Sequence, residues 1–280
     1  MSTQPFETAA LSACPVCGDA ALRTVETVPD TYIPLLVLQQ CACCGVVCVN
    51  PRLTPAAMAA VENASTVYSL GAEETEQLVA DELVRRAEYL SSFTRTAPDT
   101  TSRRWLDIGC NRGLLLQAAR RLGWQPVGVE IAGEPAQYAR DQFGLTVYPS
   151  LDELPAEPPF AMITAWHVLE HTDDPVGFLQ AAARKLAPGG ALALQVPAYD
   201  FRAEFAARGQ LSSLICSVHN FYFTLQSLRE VLARTGLHIL RIDADSQALM
   251  LTAICSNRPP AVGWGERLHR LLFRKSPAES

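Results

Sequence analysis

The feature that most limits the possible folds is a regular alternation of apolar runs and amphipathic segments from residue 103 onward. Apolar runs typical of strands lie at 103–109, 125–131, 145–150, 160–167 and 191–197. Helical patterns lie between and after them, at 113–123, 134–144, 175–190 and 224–236. The last two apolar runs, 237–243 and 248–255, are spaced like a hairpin. Strands separated by amphipathic helices form a parallel sheet covered on both faces, so the alternation predicts an α/β fold.

Composition divides the chain of 280 residues into four predicted parts. Residues 1–60 contain six of the nine cysteines and several short β-type runs. Residues 61–100 form a polar connector with a helical pattern over 73–93. Residues 101–258 carry the α/β alternation. Residues 259–280 form a short basic amphipathic tail, which we expect to pack on the domain or fray rather than bind a membrane.

The overall composition excludes several classes of protein. An apolar content of 49% and a charged content of 19% are typical of a soluble globular enzyme. No apolar run reaches the ~20 residues that a membrane span needs, and the start MSTQPFETAA lacks the features of a secretory signal. We therefore expect a cytoplasmic protein. The net charge of −6 argues against a large nucleic-acid interface, which would be basic.

The segment WLDIGCNRG, residues 105–113, connects the first predicted strand to the first predicted helix. Glycines in such a connection let the backbone approach a ligand closely, and the helix N-terminus favours polar or anionic groups. A dinucleotide-binding loop would need glycine at positions 109, 111 and 114. The chain has Gly109, Asn111 and Leu114 there, so a nicotinamide cofactor is disfavoured.

The order Asp-x-Gly-x-x-x-Gly, followed by an acid at the end of the next strand, resembles the class I S-adenosylmethionine (SAM) methyltransferases. This resemblance implies a Rossmann-like seven-stranded methyltransferase sheet. It also implies that the loop wraps the methionine part of SAM, through Asp107, Gly109, Cys110, Asn111 and Gly113. Glu130 matches the acid that receives the ribose hydroxyls, because a carboxylate can accept two hydrogen bonds from a vicinal diol.

A second signature is the stretch PFAMITAWHVLEHTDDPVGFLQAAARKLAPGGALALQVP, residues 159–197. It resembles the methyltransferase segment that runs from the fourth strand through a Pro-Gly-Gly turn into the fifth strand. The resemblance implies further cofactor contacts after the second, third and fourth strands, at Ile131, Ser150, Leu151, Ala165 and Trp166. Together the two signatures predict a SAM-binding domain that covers roughly residues 103–256.

Two Cys-x-x-Cys pairs, Cys14 with Cys17 and Cys41 with Cys44, are separated by 23 residues. Four thiolates arranged as two such turns suit a tetrahedral Zn²⁺ ion, and a site without an open position is structural. Cys43 and Cys48 lie nearby, but the spacing favours 41 and 44 as ligands. A catalytic zinc and a redox Cys-x-x-Cys remain the alternatives.

The run CACCGVVCVNPRLTPAAM, residues 41–58, is similar to the zinc-ribbon leader of bacterial methyltransferases that act on sugars and natural products. In that family the ribbon ends in an Asn-Pro-Arg turn, which 50–52 match. The resemblance implies that the ribbon shapes or covers the pocket of the methyl acceptor.

Methyl transfer needs a positioned acceptor and often a base with a pKa near neutrality, so histidines are the first candidates. His219, in SVHNFYFTLQSL, resembles a segment of deoxysugar C-methyltransferases in which the histidine belongs to the active site. Those enzymes carry a glutamate where this chain has Val218, so the match to C-methylation is incomplete. His219 can still be the base of an O-methylation. His167, one residue after Trp166, is the second candidate. The alternative for His219 is a histidine that stabilises the turn before the next helix.

These patterns predict SAM-dependent O- or C-methylation of a small molecule, such as a sugar, a nucleotide sugar or a biosynthetic intermediate. The alternatives are an rRNA or tRNA base methyltransferase with a zinc-binding leader, and a non-catalytic SAM-binding module. Charge favours the small molecule: residues 1–60 carry two basic and four acidic side chains, a net of −2, whereas a ribbon that follows phosphates should be basic. The sequence gives neither the acceptor atom nor the oligomeric state.

Overall fold

A computed structural model of the chain describes residues 6–64, 73–94, 102–155 and 159–260. Its N-terminal part is made of short strands, β1 (Thr8–Ala9), β2 (Leu22–Val28), β3 (Leu36–Cys41), β4 (Val47–Val49) and β5 (Arg52–Leu53). β2, β3 and β4 are consecutive antiparallel neighbours, and β1 pairs with β5. Two helices follow, α1 (Pro55–Ala64) and α2 (Glu73–Thr94). The predicted boundary at residue 60 therefore falls within α1.

The remainder of the chain alternates strands and helices as predicted. The strands are β6 (Arg104–Ile108), β7 (Gln125–Val129), β8 (Thr146–Tyr148), β9 (Phe160–Trp166), β10 (Leu186–Pro197), β11 (Phe221–Tyr222), β12 (His238–Asp245) and β13 (Met250–Ser256). The helices are α3 (Leu114–Arg121), α4 (Gly133–Phe143), α5 (Pro175–Arg184), α6 (Arg202–Ala207), α7 (Leu211–Leu214) and α8 (Leu225–Ala233).

Seven of these strands form one sheet in the order β12-β13-β10-β9-β6-β7-β8. All neighbours are parallel except β13, which runs antiparallel to both β10 and β12. The Rossmann-like methyltransferase sheet and the final hairpin are thereby confirmed. β7 and β8 follow β6 on one side of the sheet, whereas β10 and the final hairpin follow β9 on the other side. The direction of the strand order therefore reverses between the neighbours β6 and β9. In open α/β sheets the ligand binds at such a reversal, outside the carboxyl ends of the strands.

The core lies on both faces of the central strands β6, β9 and β10. Leu106 and Ile163 are buried on one face, and Trp105 and Met162 are buried on the other. Successive residues of a strand point to opposite faces, and both faces are covered here, which explains the almost continuous apolar run of β9. On the Trp105 face the cover includes α2 and α3, and on the opposite face it includes α5 and α8.

One predicted helix ends earlier than expected, and most of the predicted C-terminal tail lies outside the described residues. The helix predicted over 175–190 ends at Arg184, because β10 already begins at Leu186. Its pairing with β9 shifts between Leu186 and Ala191, so the Pro-Gly-Gly turn is a bulge inside the strand rather than a helix end. Of the predicted tail 259–280, the part from 261 lies outside the described residues. Among the residues described, no helix has the length and apolar character needed to cross a membrane.

The N-terminal sheet is completed by a strand from the far end of the chain. β11 pairs with β4, with Phe221 opposite Cys48 and Tyr222 opposite Val47, which gives the order β11-β4-β3-β2. The cysteine-rich part and the α/β part therefore share a sheet. The strand that joins them begins two residues after His219.

Candidate active site

The loop after β6 has the backbone that a close approach to a ligand requires. Gly109, Asn111 and Gly113 all have positive φ, at 71°, 49° and 77°. Asparagine is one of the few residues other than glycine that adopts this conformation readily. A Cβ atom at Gly109 would lie 2.5 Å from Cγ2 of Val168. The loop thus packs directly against the segment that follows β9, and Cys110 is buried beneath it.

Asp107 is buried at the end of β6 and is bound within the sheet. Its Oδ1 accepts a hydrogen bond of 2.6 Å from the hydroxyl of Thr164 on β9, and that hydroxyl oxygen accepts the indole N–H of Trp105 at 2.9 Å. Burial raises the pKa of Asp107 to about 7, while the Thr164 hydrogen bond lowers it and the charge of Glu130 raises it further. Thr164 was not predicted as a site residue, because a threonine inside an apolar strand carries no motif.

Glu130 stands at the tip of β7 and is 7% exposed. Its two carboxylate oxygens accept the backbone N–H groups of Asn111 and Ala132, each at 2.8 Å. These bonds fix the carboxylate between the loops after β6 and β7. Each oxygen has further lone pairs, so the group can still accept hydroxyl donors. Next to it, Ile131 is 72% exposed, an unusual position for a large apolar side chain.

The other predicted cofactor residues lie at the same edge of the sheet. Ser150 and Leu151, which follow β8, are both half-buried. Ala165 is buried near the end of β9, and Trp166 is half-buried, with the guanidinium of Arg86 5.4 Å from its ring centroid. The predicted donor-binding residues therefore lie at the carboxyl ends of β6, β7, β8 and β9, along one edge of the sheet.

Directly after β9 the chain places a carboxylate among three histidines. His167 has a positive φ of 55°, and its Nδ1 lies 3.3 Å from Oε1 of Glu170. Glu170 belongs to a 3₁₀ turn, Leu169–His171, and its side chain is 1% exposed. The rings of His171 and His219 are 4.8 Å apart. One potential ligand atom from each of Glu170, His171 and His219 lies within 4.8 Å of the others.

Charge in this cluster is distributed unevenly. Burial lowers the pKa of His219 to about 4, and the charge of His171 lowers it further. Burial raises the pKa of Glu170, but its contact with His167 and the charges of His171 and His219 outweigh burial, so the net direction is downward. At neutral pH the carboxyl group is therefore ionised and His219 is neutral.

Asn220 ties the two segments of the cluster together. Its backbone N–H donates to the carbonyl of Glu170 at 2.7 Å, and its side-chain amide donates to the carbonyls of His171 and Thr172 at 3.1 and 3.2 Å. Asn220 was not predicted as a site residue. The sequence offered one indication of its role, which is that it directly follows the candidate base His219.

The N-terminal part also contacts the stretch after β10 and both segments of the cluster. The Nε of Arg202 and the hydroxyl of Tyr199, both from the stretch after β10, donate to Glu26 of β2 at 2.8 and 3.3 Å. The backbone N–H of Ser217 donates to Asp30 at 3.1 Å. Arg52 donates to the carbonyl of Asp173 at 3.0 Å. These contacts place the N-terminal part beside the histidine cluster.

The four predicted zinc ligands also converge. The Sγ atoms of Cys14 and Cys44 are 3.6 Å apart, those of Cys17 and Cys41 are 3.5 Å apart, and all four lie within 4.8 Å of one another. Thiolates placed tetrahedrally around zinc at about 2.3 Å are separated by about 3.8 Å, so the cluster has the dimensions of such a site. Cys43 and Cys48 are outside this group of four, one exposed and the other buried in β4.

Comparison with known proteins decides the family. The model of the family described as "Methyltransferase domain" matches residues 80–242, more than half of the chain. The chain belongs to the class I SAM-dependent methyltransferases. This confirms the family that the Asp-x-Gly-x-x-x-Gly loop and the β9 signature predicted.

The methyltransferase is similar to curated relatives over part of its length. It is 37% identical over 117 residues to a ubiquinone biosynthesis O-methyltransferase of Xanthomonas euvesicatoria pv. vesicatoria, covering 39% of this chain and 47% of the relative. It is 39% identical over 100 residues to one from Xanthomonas campestris pv. campestris, covering 32% and 41%. The chain thus spans less than half the length of these relatives.

Solved structures show the same fold. The plantazolicin methyltransferase BpumL in complex with SAH is 13% identical, with a TM-score of 0.52, and the alignment covers 72% of this chain and 95% of that chain. At this identity the similarity concerns the fold alone.

Proposed function

We propose that this methyltransferase transfers the methyl group of SAM to a hydroxyl oxygen of a small molecule, such as a sugar, a nucleotide sugar or a biosynthetic intermediate. One observation carries the proposal. The donor loop at Gly109 packs against Val168, and the neighbouring His167 is paired with the buried carboxylate of Glu170. A candidate base therefore stands beside the loop that would hold the methyl donor.

The donor side would be formed by backbone groups and one carboxylate. Gly109 and Gly113 carry no side chain, so the backbone of the loop can approach a ligand closely there, and Glu130 is fixed so that it can accept the ribose hydroxyls. The exposed Ile131 offers an apolar surface to the adenine ring. When bound, SAM supplies an electrophilic methyl group, and the protein's task is to align the acceptor with it.

His167 is the better of the two predicted bases. Its ring is 46% exposed at the crevice edge, and its Nδ1 side faces Glu170, which leaves Nε2 for an acceptor hydroxyl. A carboxylate in that position orients the ring and stabilises the imidazolium that forms. The acceptor oxygen then bonds to the methyl carbon, the carbon–sulfur bond breaks with its electron pair on sulfur, and the hydroxyl proton moves to Nε2. His219 is buried and has a pKa of about 4, so it is a poor proton acceptor at neutral pH.

The acidic net charge of the N-terminal part, which lies beside the histidine cluster, supports a small-molecule acceptor. In this part Glu26 is bound to Arg202 and Asp30 to the backbone of Ser217, so its contacts with the α/β part include two carboxylates. A nucleic-acid acceptor would need a basic surface there. The names of the curated relatives support O-methylation. We further propose that Cys14, Cys17, Cys41 and Cys44 hold one structural Zn²⁺ ion.

The first test is calorimetric titration with SAM. The wild-type protein should bind it, and Glu130→Gln should bind it at least tenfold more weakly, because one anionic acceptor becomes a neutral amide with a donor. Radiolabelled SAM should then transfer methyl groups to members of a panel of phenols, sugars and nucleotide sugars, but not to ribosomal RNA. Absence of SAM binding, or labelling of RNA alone, would exclude the proposal.

The second test concerns the base. His167→Ala should lower kcat on the best acceptor by about 10²–10⁴-fold while the Kd for SAM changes little. The matched control is His238→Ala, an exposed histidine on the edge strand β12. If His167→Ala and the control have equal turnover, the base is another group.

A further inference from the structure

We propose that Glu170, His171 and His219 bind one divalent transition-metal ion, at a site distinct from the four-cysteine cluster. The three side chains come from two segments of the chain, and one ligand atom of each lies within 4.8 Å of the other two. Two imidazoles and one carboxylate are a common ligand set for such ions in proteins. The predicted zinc site does not include any of these residues.

The hydrogen bonds of the two histidines fix which nitrogen is available. The Nδ1 of His171 lies 2.9 Å from the carbonyl oxygen of Val218, and the Nδ1 of His219 lies 2.7 Å from that of Leu214. A carbonyl oxygen can only accept, so each Nδ1 carries the proton. Each Nε2 is therefore left with a free lone pair in the neutral ring. Metal-binding histidines in proteins are typically held in this way, by a second N–H that donates to a carbonyl or carboxylate.

The carboxylate of Glu170 is the independent observation that points to a ligand. Its side chain is 1% exposed, and within the described part of the chain neither oxygen receives a well-formed hydrogen bond. Burying an ionised carboxylate without hydrogen-bond donors raises the free energy of the folded protein unless a cation lies next to it. His167 approaches only one oxygen, Oε1, at 3.3 Å, which leaves the other for an ion.

The ligand set selects the class of metal. Imidazole nitrogens favour Zn²⁺, Cu²⁺, Fe²⁺ and Ni²⁺, and the carboxylate also suits Mn²⁺, whereas Mg²⁺ and Ca²⁺ prefer sites made entirely of oxygen atoms. Three protein ligands leave coordination positions open for water or for an acceptor hydroxyl. Such an ion lowers the pKa of a hydroxyl that it binds. This role in methyl transfer rests on the proposed function, whereas metal binding itself does not.

The alternative to a metal ion in this cluster is a second proton on a histidine ring. If His171 is protonated at both nitrogens, it compensates Glu170 without a metal, and the cluster is a hydrogen-bonded unit that stabilises the turn. The two cases differ in one measurable property, because only the first binds a divalent cation with the stoichiometry of one per chain. The expected loss of binding on replacing a ligand is at least tenfold.

The test uses Mn²⁺, which four thiolates bind poorly, so that the cysteine cluster does not interfere. Full-length protein with its cysteine site loaded with zinc is titrated with Mn²⁺ and followed by electron paramagnetic resonance. We expect one bound Mn²⁺ per chain, with the Kd raised at least tenfold in Glu170→Gln and in His171→Ala. His238→Ala is the matched control and should bind as the wild type does. Calorimetry with SAM on each variant reports whether the donor crevice is intact.

The outcomes separate the two proposals. Mn²⁺ binding that is equal in wild type, Glu170→Gln and His171→Ala overturns the metal site, as does wild-type protein that binds no Mn²⁺. If Glu170→Gln fails to fold, His219→Gln takes its place and decides the question in the same way. Failure of SAM to bind the wild type overturns the proposed function but leaves the Mn²⁺ result valid.

Discussion

Replacing Gly109 with alanine tests the central geometric relation of the site, the contact between the donor loop and the segment after β9. Gly109 has a φ of 71°, and an added Cβ would lie 2.5 Å from Cγ2 of Val168. Carbon atoms in favourable contact are about 3.5–4.0 Å apart, so something must move. Valine is branched at Cβ and has few rotamers, which limits how far it can turn away.

The expected cost has two parts. The left-handed backbone costs an L-residue roughly 1–2 kcal/mol, and overpacking costs roughly 1–3 kcal/mol. Gly109→Ala should therefore lower the free energy of unfolding by about 2–5 kcal/mol. Gly123→Ala is the matched control, since Gly123 has a φ of 82° and no atom within 4 Å of an added Cβ. It should lose only the backbone part, about 1–2 kcal/mol.

A double-mutant cycle isolates the contact. Val168→Ala removes the methyl group that the new Cβ would meet, so Gly109→Ala in that background should lose about 1–3 kcal/mol less than in the wild type. Urea unfolding gives the stabilities, and calorimetry gives the affinity for SAM. Because Val168 is next to His167, Gly109→Ala should also lower turnover by more than the loss of SAM binding explains.

Two results would refute this reasoning. Equal destabilisation by Gly109→Ala and Gly123→Ala would mean that the contact with Val168 costs nothing. Strict additivity in the cycle would mean that the two residues do not interact. In either case the donor loop and the histidine cluster would be independent, and the observation that carries the proposed function would be lost.

Three further predictions concern other parts of the molecule. Burial raises the pKa of Asp107 to about 7, so between about pH 4 and 7 the native protein holds a proton that the unfolded chain has released, and the free energy of unfolding falls as pH rises. Between pH 5 and 8 the free energy of unfolding of Asp107→Asn should therefore fall by on the order of 3 kcal/mol less than that of wild type. Equal decreases for the two proteins in urea unfolding would contradict this. Replacing Cys17 and Cys41 together with serine should lower turnover more than tenfold with less than a threefold change in the Kd for SAM, and unchanged turnover would show that the ribbon is dispensable. Asn220→Ala leaves two carbonyls without their donor and should lower the free energy of unfolding by roughly 1–3 kcal/mol, whereas a thermal melt like that of wild type would exclude this role.

The parts of the fold that the sequence predicted are those with local patterns. The strands and helices from residue 103 follow from periodicity within windows of about ten residues, and the final hairpin follows from two adjacent runs. The pairing of β11 with β4 has no such signal, because Phe221 and Cys48 are more than 170 positions apart. The start of β10 at Leu186 was missed for another reason. A Pro-Gly-Gly turn usually ends an element, and here it forms a bulge within one.

The same distinction applies to the site. Gly109, Asn111 and Glu130 belong to a motif that local spacing defines, and the structure brings them together at one edge of the sheet. The grouping of Glu170 with His171 and His219 was not predicted, because His219 joins the other two only when the two segments meet in the fold. Asn220 was missed because its role depends on three carbonyl and carboxylate partners from the other segment.

The contacts around His219 indicate why a cysteine-rich leader accompanies this methyltransferase. Asp30 holds the backbone just before His219, and β4 pairs with the strand just after it, so the leader fixes this histidine from both sides. Within the described part of the chain, the donor loop instead donates its backbone hydrogen bonds to Glu130 and Val129 of the α/β part. A change in the leader should therefore alter the acceptor side without altering the affinity for SAM.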